Sequence, residues 1–203
     1  MAMIKKSFFN YRTQFLLIAF ICSFSGNPAY TQEVDHRRPD FSLPDLDGKE
    51  RSIAEWDGKA IIINFWATWC IPCKREIPLF NQIQTEYADW DLQVLGIAVD
   101  TPANVAEFLK STSMVYPTLV EEQKSQEIAF AFSNSFLILP FTVFLDHHGR
   151  ILWMQVEEIH REEIDSVLDR IWKIRSGELT YEQAQDGLIA DMEKIVKART
   201  LAQ

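Results

Sequence analysis

At 203 residues, with 47% apolar and 24% charged residues and only 15 Gly and Pro together, the chain has the composition of one globular domain plus about fifty further residues. Three cysteines cannot build a disulfide scaffold, and an odd count allows at most one internal pair. The net charge of −9 becomes −12 once the first 32 residues, with Lys5, Lys6 and Arg12 and no acid, are set aside, which argues against nucleic acid as a partner.

Residues 1–32 combine a basic start, an apolar run over 15–24 and the breakers Ser25-Gly26-Asn27-Pro28, the anatomy of a secretory signal. The charge-free stretch over 13–32 also has the length of an uncleaved membrane anchor. Cys22 reads as an apolar residue of that segment, since Ile21 before it is bulky where lipidation needs a small side chain. Either reading places the folded part in the periplasm or on the extracytoplasmic face of a membrane, where disulfides persist.

Over 41–53, Asp47-Gly48 between two short β-prone segments predicts a hairpin. Residues 60–66 read as a buried central strand, apolar on both faces except at Asn64, which delivers its end to Trp69-Cys70-Ile71-Pro72-Cys73. Ile77, Phe80, Ile83, Tyr87 and Trp90 then recur at helical spacing, with a kink expected at Pro78. A second buried strand over 92–99 ends at Asp100, and Val105, Phe108 and Leu109 mark a helix over 102–112.

A short strand over 117–120 and a short helix over 124–132 lead to a strand over 141–145 directly after Pro140. His147-His148-Gly149 turns the chain into an antiparallel return over 151–156, and Ile164, Val167, Leu168, Ile171 and Ile174 stripe a closing helix. The pattern predicts an α/β domain over 33–175 with a central mixed sheet flanked by helices. After Ser176-Gly177, a capping box of Thr180 and Gln183 opens an amphipathic helical extension, 176–203, that packs on its own domain or meets a partner.

Two cysteines separated by two residues suit a reversible disulfide when the first sits at a helix N-terminus and the second one turn inside. There the free backbone N–H groups and helix dipole favour a thiolate, which marks Cys70 as nucleophile and Cys73 as the resolving thiol. Pro72 fits a first-turn position. The same spacing is also half of a zinc site, but no second pair accompanies it and His36, His147, His148 and His160 are scattered, so neither metal nor cofactor is expected.

The segment Asn64-Phe65-Trp66-Ala67-Thr68-Trp69-Cys70-Ile71-Pro72-Cys73-Lys74-Arg75-Glu76-Ile77-Pro78 resembles the active-site stretch of the TlpA/ResA-like, extracytoplasmic thioredoxin-fold disulfide reductases. The similarity extends to Pro39-Asp40-Phe41-Ser42-Leu43 upstream and to Leu139-Pro140 and 146–149 downstream. It covers roughly residues 37–175 and implies a thioredoxin-like fold, to which the N-terminal hairpin and the C-terminal helix read above are extensions. Pro140 falls at the family's cis-proline beside the disulfide, where backbone stays open for an extended substrate, with Leu139 and Phe141 flanking it. Phe141, where a small or polar residue is common, implies a larger apolar contact surface. Glu76 matches the family's active-site acid, and with Asn64 standing where cytoplasmic thioredoxins carry an Asp, Glu76 is the general base expected, its pKa raised by burial. Trp69 is expected as an exposed docking surface, Trp66 as core, and Lys74 and Arg75 as exposed charges.

The resulting expectation is a thiol-disulfide oxidoreductase, acting as a reductase on a disulfide-bearing client protein such as an apocytochrome c or a misbridged secreted protein, and recharged by a membrane-embedded thiol electron donor. Two alternatives stand beside it. A peroxiredoxin shares the segment around Phe41-Ser42-Leu43 but needs a Pro-x-x-x-Thr-x-x-Cys setting that Cys70 lacks. A redox-inactive binding module would use Trp69, Phe141 and the tail helix as an apolar platform.

Overall fold

The computed structural model describes residues 36–201. The signal or anchor segment and Cys22 lie outside the described residues. No helix among the described residues is long and apolar enough to cross a membrane.

The chain opens with an antiparallel hairpin, β1 (Ser42–Pro44) and β2 (Glu50–Ser52). Its turn is tied by Asp45, whose carboxylate accepts from the amides of Asp47 and Lys49 at 3.0 Å each, while Gly48 takes a φ of 79° that a side chain would oppose. The central sheet has the order β5-β4-β3-β6-β7. Strands β3 (Ala60–Trp66), β4 (Leu92–Ala98) and β5 (Thr118–Val120) are parallel, and β6 (Phe141–Leu145) and β7 (Ile151–Val156) are added antiparallel. The α/β architecture with a mixed sheet is therefore as the sequence implied.

Helices α1 (Ile71–Glu86), α2 (Pro102–Phe108), α3 (Glu122–Ala131), α4 (Arg161–Ser176) and α5 (Tyr181–Leu201) cover the sheet. Helix α1 continues through Pro78 as one element. The period of two along β3 divides the core. Ile61, Ile63 and Phe65 pack with Phe132, with Leu43 of the hairpin and with Ile53 just after it on one face. On the other face Ile62 packs with Phe80 and Ile83 of α1 and with α4 and α5. A third cluster at the carboxyl end of β3 joins Trp66, Ala67, Cys70, Cys73, Ile77 and Val105, with Leu139 against it.

The C-terminal helix is part of this core. Thr180 and Gln183 form the reciprocal cap, the Thr180 amide donating to Gln183 at 2.9 Å and the Gln183 amide to the Thr180 hydroxyl at 3.2 Å. Tyr181, Ala184, Leu188 and Met192 are buried among α4 residues, and the Tyr181 hydroxyl donates to the Ile151 carbonyl.

Candidate active site

Strand β3 ends at Trp66 beside Ala98 of β4, and the loop between β3 and α1 is fastened to the chain leaving β4. Asp100 is the fastener. Its carboxylate accepts from the Thr68 amide at 2.9 Å, the Thr68 hydroxyl at 2.6 Å, and the Thr101 amide and Asn104 side chain at 2.8 Å each. Burial alone would push this carboxyl up, but the donated hydrogen bonds outweigh it and hold Asp100 below the usual carboxylate range.

Cys70 is the N-cap of α1, its sulfur accepting from the Cys73 amide at 3.3 Å. Ile71 and Pro72 fill the first helical positions, where the missing Pro N–H costs nothing. The two cysteines form a disulfide with Cα atoms 5.3 Å apart. Their exposures differ in the sense the chemistry needs: Cys70 keeps 5% of its surface and Cys73 none. Trp69 before the pair is 64% exposed, and Ile71 is equally open.

One turn beyond Cys73, Glu76 points into the protein and is 2% exposed. The Ile159 amide donates to its Oε1 at 2.7 Å, and Asn64 Nδ2 donates to its Oε2 at 3.3 Å and to the Thr142 hydroxyl at 3.2 Å. Burial dominates and pushes the Glu76 carboxyl up to about 8, with the bonds from Ile159 and Asn64 pulling the other way. Asn64 Oδ1, Trp66 Nε1 and the Tyr116 hydroxyl are buried without a hydrogen-bond partner. Burial, helped by the Glu76 carboxylate, pushes the Tyr116 phenol up as well. Gly96 in β4 keeps this region open, since a Cβ there would meet Thr118 Oγ1 at 2.9 Å and Trp66 Nε1 at 3.2 Å.

The Leu139-Pro140 peptide is cis and lies at the same end of the sheet, because Phe141 pairs with Phe65 near the end of β3 and Leu139 packs on the cluster holding both cysteines. Phe141 corrects one expectation. Its side chain is only 2% exposed and stacks on Phe65 at 5.5 Å, so it fills the apolar core and offers no contact surface to a substrate. Alternation along β6 turns residue 141 to the side of Val143 and Leu145.

The structure thus gathers Cys70, Cys73, Glu76, Leu139 and Pro140 at one end of the sheet, with Trp69 exposed next to them. Sequence reasoning did not identify Asp100, Tyr116 or Ile159 as parts of the site. Asp100 offered a signal, as a polar residue at the end of a buried strand, but its partner depends on the β3–β4 register. Cavities of about 630 Å3 by Trp90 and Trp172 and about 420 Å3 by Arg38 and His147 lie elsewhere, next to Asp91 before β4 and in the turn after β6. Among the described residues, no three His, Cys, Asp or Glu side chains form a group that could hold a metal ion.

Residues 34–154 match the model of the AhpC/TSA family. The thiol-disulfide oxidoreductase ResA of Geobacillus thermodenitrificans is 31% identical over 134 residues, covering 66% of this chain and 75% of that protein. The thioredoxin-like protein YneN of Bacillus subtilis is 32% identical over 135 residues, 64% of this chain and 76% of its own. Among solved structures, a thiol:disulfide interchange protein of the thioredoxin family from Chlorobium tepidum is 33% identical with a TM-score of 0.54, covering 68% of this chain and 94% of that one. The chain belongs to the AhpC/TSA family and is a ResA-like thiol-disulfide oxidoreductase of thioredoxin-like fold.

Proposed function

We propose that the protein reduces client disulfides outside the cytoplasm, with Cys70 as nucleophile, Cys73 as resolving thiol and Glu76 as the base that serves Cys73. The observation that carries the reading is the asymmetry of the pair: a helix-capping Cys70 that reaches the surface, and a fully buried Cys73 one turn before a carboxyl held near 8.

The steps balance as follows. The Cys70 thiolate attacks one sulfur of a client disulfide, the client's other sulfur leaves as a thiolate, and a mixed disulfide remains. Cys73 gives its proton to the Glu76 carboxylate and attacks Cys70 Sγ. The client's second sulfur departs with the bonding pair, and the protein is left with the Cys70–Cys73 disulfide while the client carries two thiols. A base near 8 is matched to an ordinary thiol near about 8.5, so the transfer is close to level.

Backbone at Leu139 and Pro140 and the exposed ring of Trp69 supply the contact for an extended client segment. A membrane-embedded thiol donor returns the pair to the dithiol, and residues 1–32 act as export signal or anchor. The client class is secreted protein with misplaced bridges or a haem-attachment cysteine pair.

Equilibration in graded dithiol buffers, read by thiol alkylation, tests the direction. A midpoint near the thioredoxin value of about −270 mV supports a reductase, whereas one near the DsbA value of about −120 mV overturns it in favour of an oxidant.

A further inference from the structure

Four consecutive residues between β7 and α4 each hold a different part of the molecule. The Glu157 amide donates to the Pro140 carbonyl at 3.0 Å. Glu158 accepts from Arg75 of α1 at 3.0 and 3.1 Å. The Ile159 amide donates to Glu76 at 2.7 Å, and the His160 amide donates to Glu163 Oε2 at 2.8 Å, closing the first turn of α4. The connector is therefore joined to the cis-proline loop, the outside of α1, the buried acid and the start of α4 in turn.

Its last tie leads to the far end of the chain. Glu163 is buried, and its second oxygen is paired with Arg199 Nη2 at 2.7 Å, while Arg199 Nη1 meets His160 Nδ1 at 2.8 Å. Arg199 lies in the final turn of α5. Farther back, Arg170 of α4 pairs with Asp191 and rests over Gly187, where a Cβ would collide with the guanidinium. Without its cation this buried carboxylate would be driven to turn outward, and with it would go the acceptor that fixes the His160 amide.

We propose that Arg199 is a positioning residue for the redox reaction: through Glu163 and the start of α4, it holds the Ile159 amide against Glu76, so that the C-terminal helix fixes the orientation of the buried acid. The inference rests on Glu76 serving as base to Cys73. The other groups facing Glu76 are Asn64 from β3, the Tyr116 phenol, and the Arg75–Glu158 pair, whose Glu158 is held low by the Arg75 hydrogen bond. None of these touches Arg199, which makes its contribution separable.

Removing α5 is not a usable test, because Leu188 and Met192 are buried in the core against α4 and the shortened chain would lose that packing. The test is Arg199→Gln in the whole purified protein. Reduced protein is mixed with an aromatic disulfide whose thiolate product absorbs visible light. The first burst reports attack by Cys70, and the second reports resolution by Cys73.

The Ile159 bond favours the ionised carboxylate, so loosening it drives the midpoint of the second burst upward. The expected shift is roughly half a pH unit, a fraction of the one to two units that complete loss of a hydrogen bond to a charged group brings, and it slows the second burst about threefold below the midpoint. The first burst is unchanged, and Arg199→Lys restores most of the shift. In a Glu76→Gln background, Arg199→Gln has no further effect.

A lowered melting temperature with an unmoved midpoint would make Arg199 merely structural and overturn the inference. Slowing that persists in the Glu76→Gln background would overturn it too, since the effect would bypass the acid. If Glu76→Gln itself leaves the profile unchanged, the base reading fails, and the inference with it.

Discussion

The two faces of β3 are built on different terms. Ile61, Ile63 and Phe65 face an unbroken apolar layer closed by Phe132, Phe141 and Val143, whereas the opposite face carries Asn64 and Trp66 next to Glu76, Thr142 and Tyr116. The first face contributes stability through area removed from water. The second gives some of it back, since a buried carboxyl near 8 and three polar atoms without partners each carry a desolvation cost. Those three atoms and the raised carboxyl lie together behind the disulfide, whereas on the side of α3, among the described residues, only the Ser125 hydroxyl is buried without a hydrogen-bond partner.

The sharpest break in this comparison is at the sulfurs. Cys70→Ser is expected to abolish disulfide reduction, a loss of at least about 1000-fold, while Cys73→Ser leaves Cys70 able to attack and accumulates mixed disulfides. Non-reducing gels after incubation with a client read both outcomes, and reduction persisting in Cys70→Ser would remove the chemistry from this site.

The quiet face should respond in stability alone. Phe65→Ala is expected to cost about 3–5 kcal/mol in denaturant unfolding, leaving the pH profile of resolution in place. A displaced profile would show that the two faces are coupled.

Glu76→Gln should act in the opposite sense. The folded pKa of Glu76, about 8, lies above its ordinary value of 4.5, so the native state binds the extra proton between those two values and the wild type loses stability as pH rises through that window. The cost is absent below the lower value and complete above the upper. The variant should therefore be more stable at alkaline pH by about 5 kcal/mol, with the difference vanishing in acid, and its second burst should slow about 100-fold or more. A stability gap that does not change with pH would contradict the assignment.

Asp100→Asn is a smaller perturbation at the rim. An amide cannot accept every bond that Thr68, Thr101 and Asn104 donate, and the expected loss is about 2 kcal/mol together with faster hydrogen exchange at the Thr68 amide. Smallest of all is Trp69→Ala, expected within about 0.5 kcal/mol in stability because the ring is exposed, yet raising KM for a protein client while sparing a small aromatic disulfide.

Much of this organisation could be read from single residues. The run from Ala60 to Trp66, the Cys70 cap with Pro72 behind it, and the one-turn offset of Glu76 are local facts, and local facts survive without knowledge of the fold. The inward turn of Phe141 was also available from alternation with Val143 and Leu145, but the resemblance at Pro140 drew it toward the surface. Asp100 to Thr68, Ile159 to Glu76 and Arg199 to Glu163 were not legible, because each depends on a register or helix docking between segments 32 or more residues apart. No periodicity in the chain encodes those distances.

Asn64 has a further consequence. Its Nδ2 donates to Glu76 while its Oδ1 is left free. An amide has nearly the same outline after a half-turn about its last bond, with donor and acceptor exchanged. Facing an ionised Glu76 it presents N–H; facing a protonated one it can present oxygen to the new O–H, and the Thr142 hydroxyl can rotate to match. An aspartate in that place could only repel one of the two states. The residue at position 64 is thus a reversible template that lets a proton arrive and leave with no movement of backbone, and the side-chain amide resonances of Asn64 should change environment as pH passes about 8.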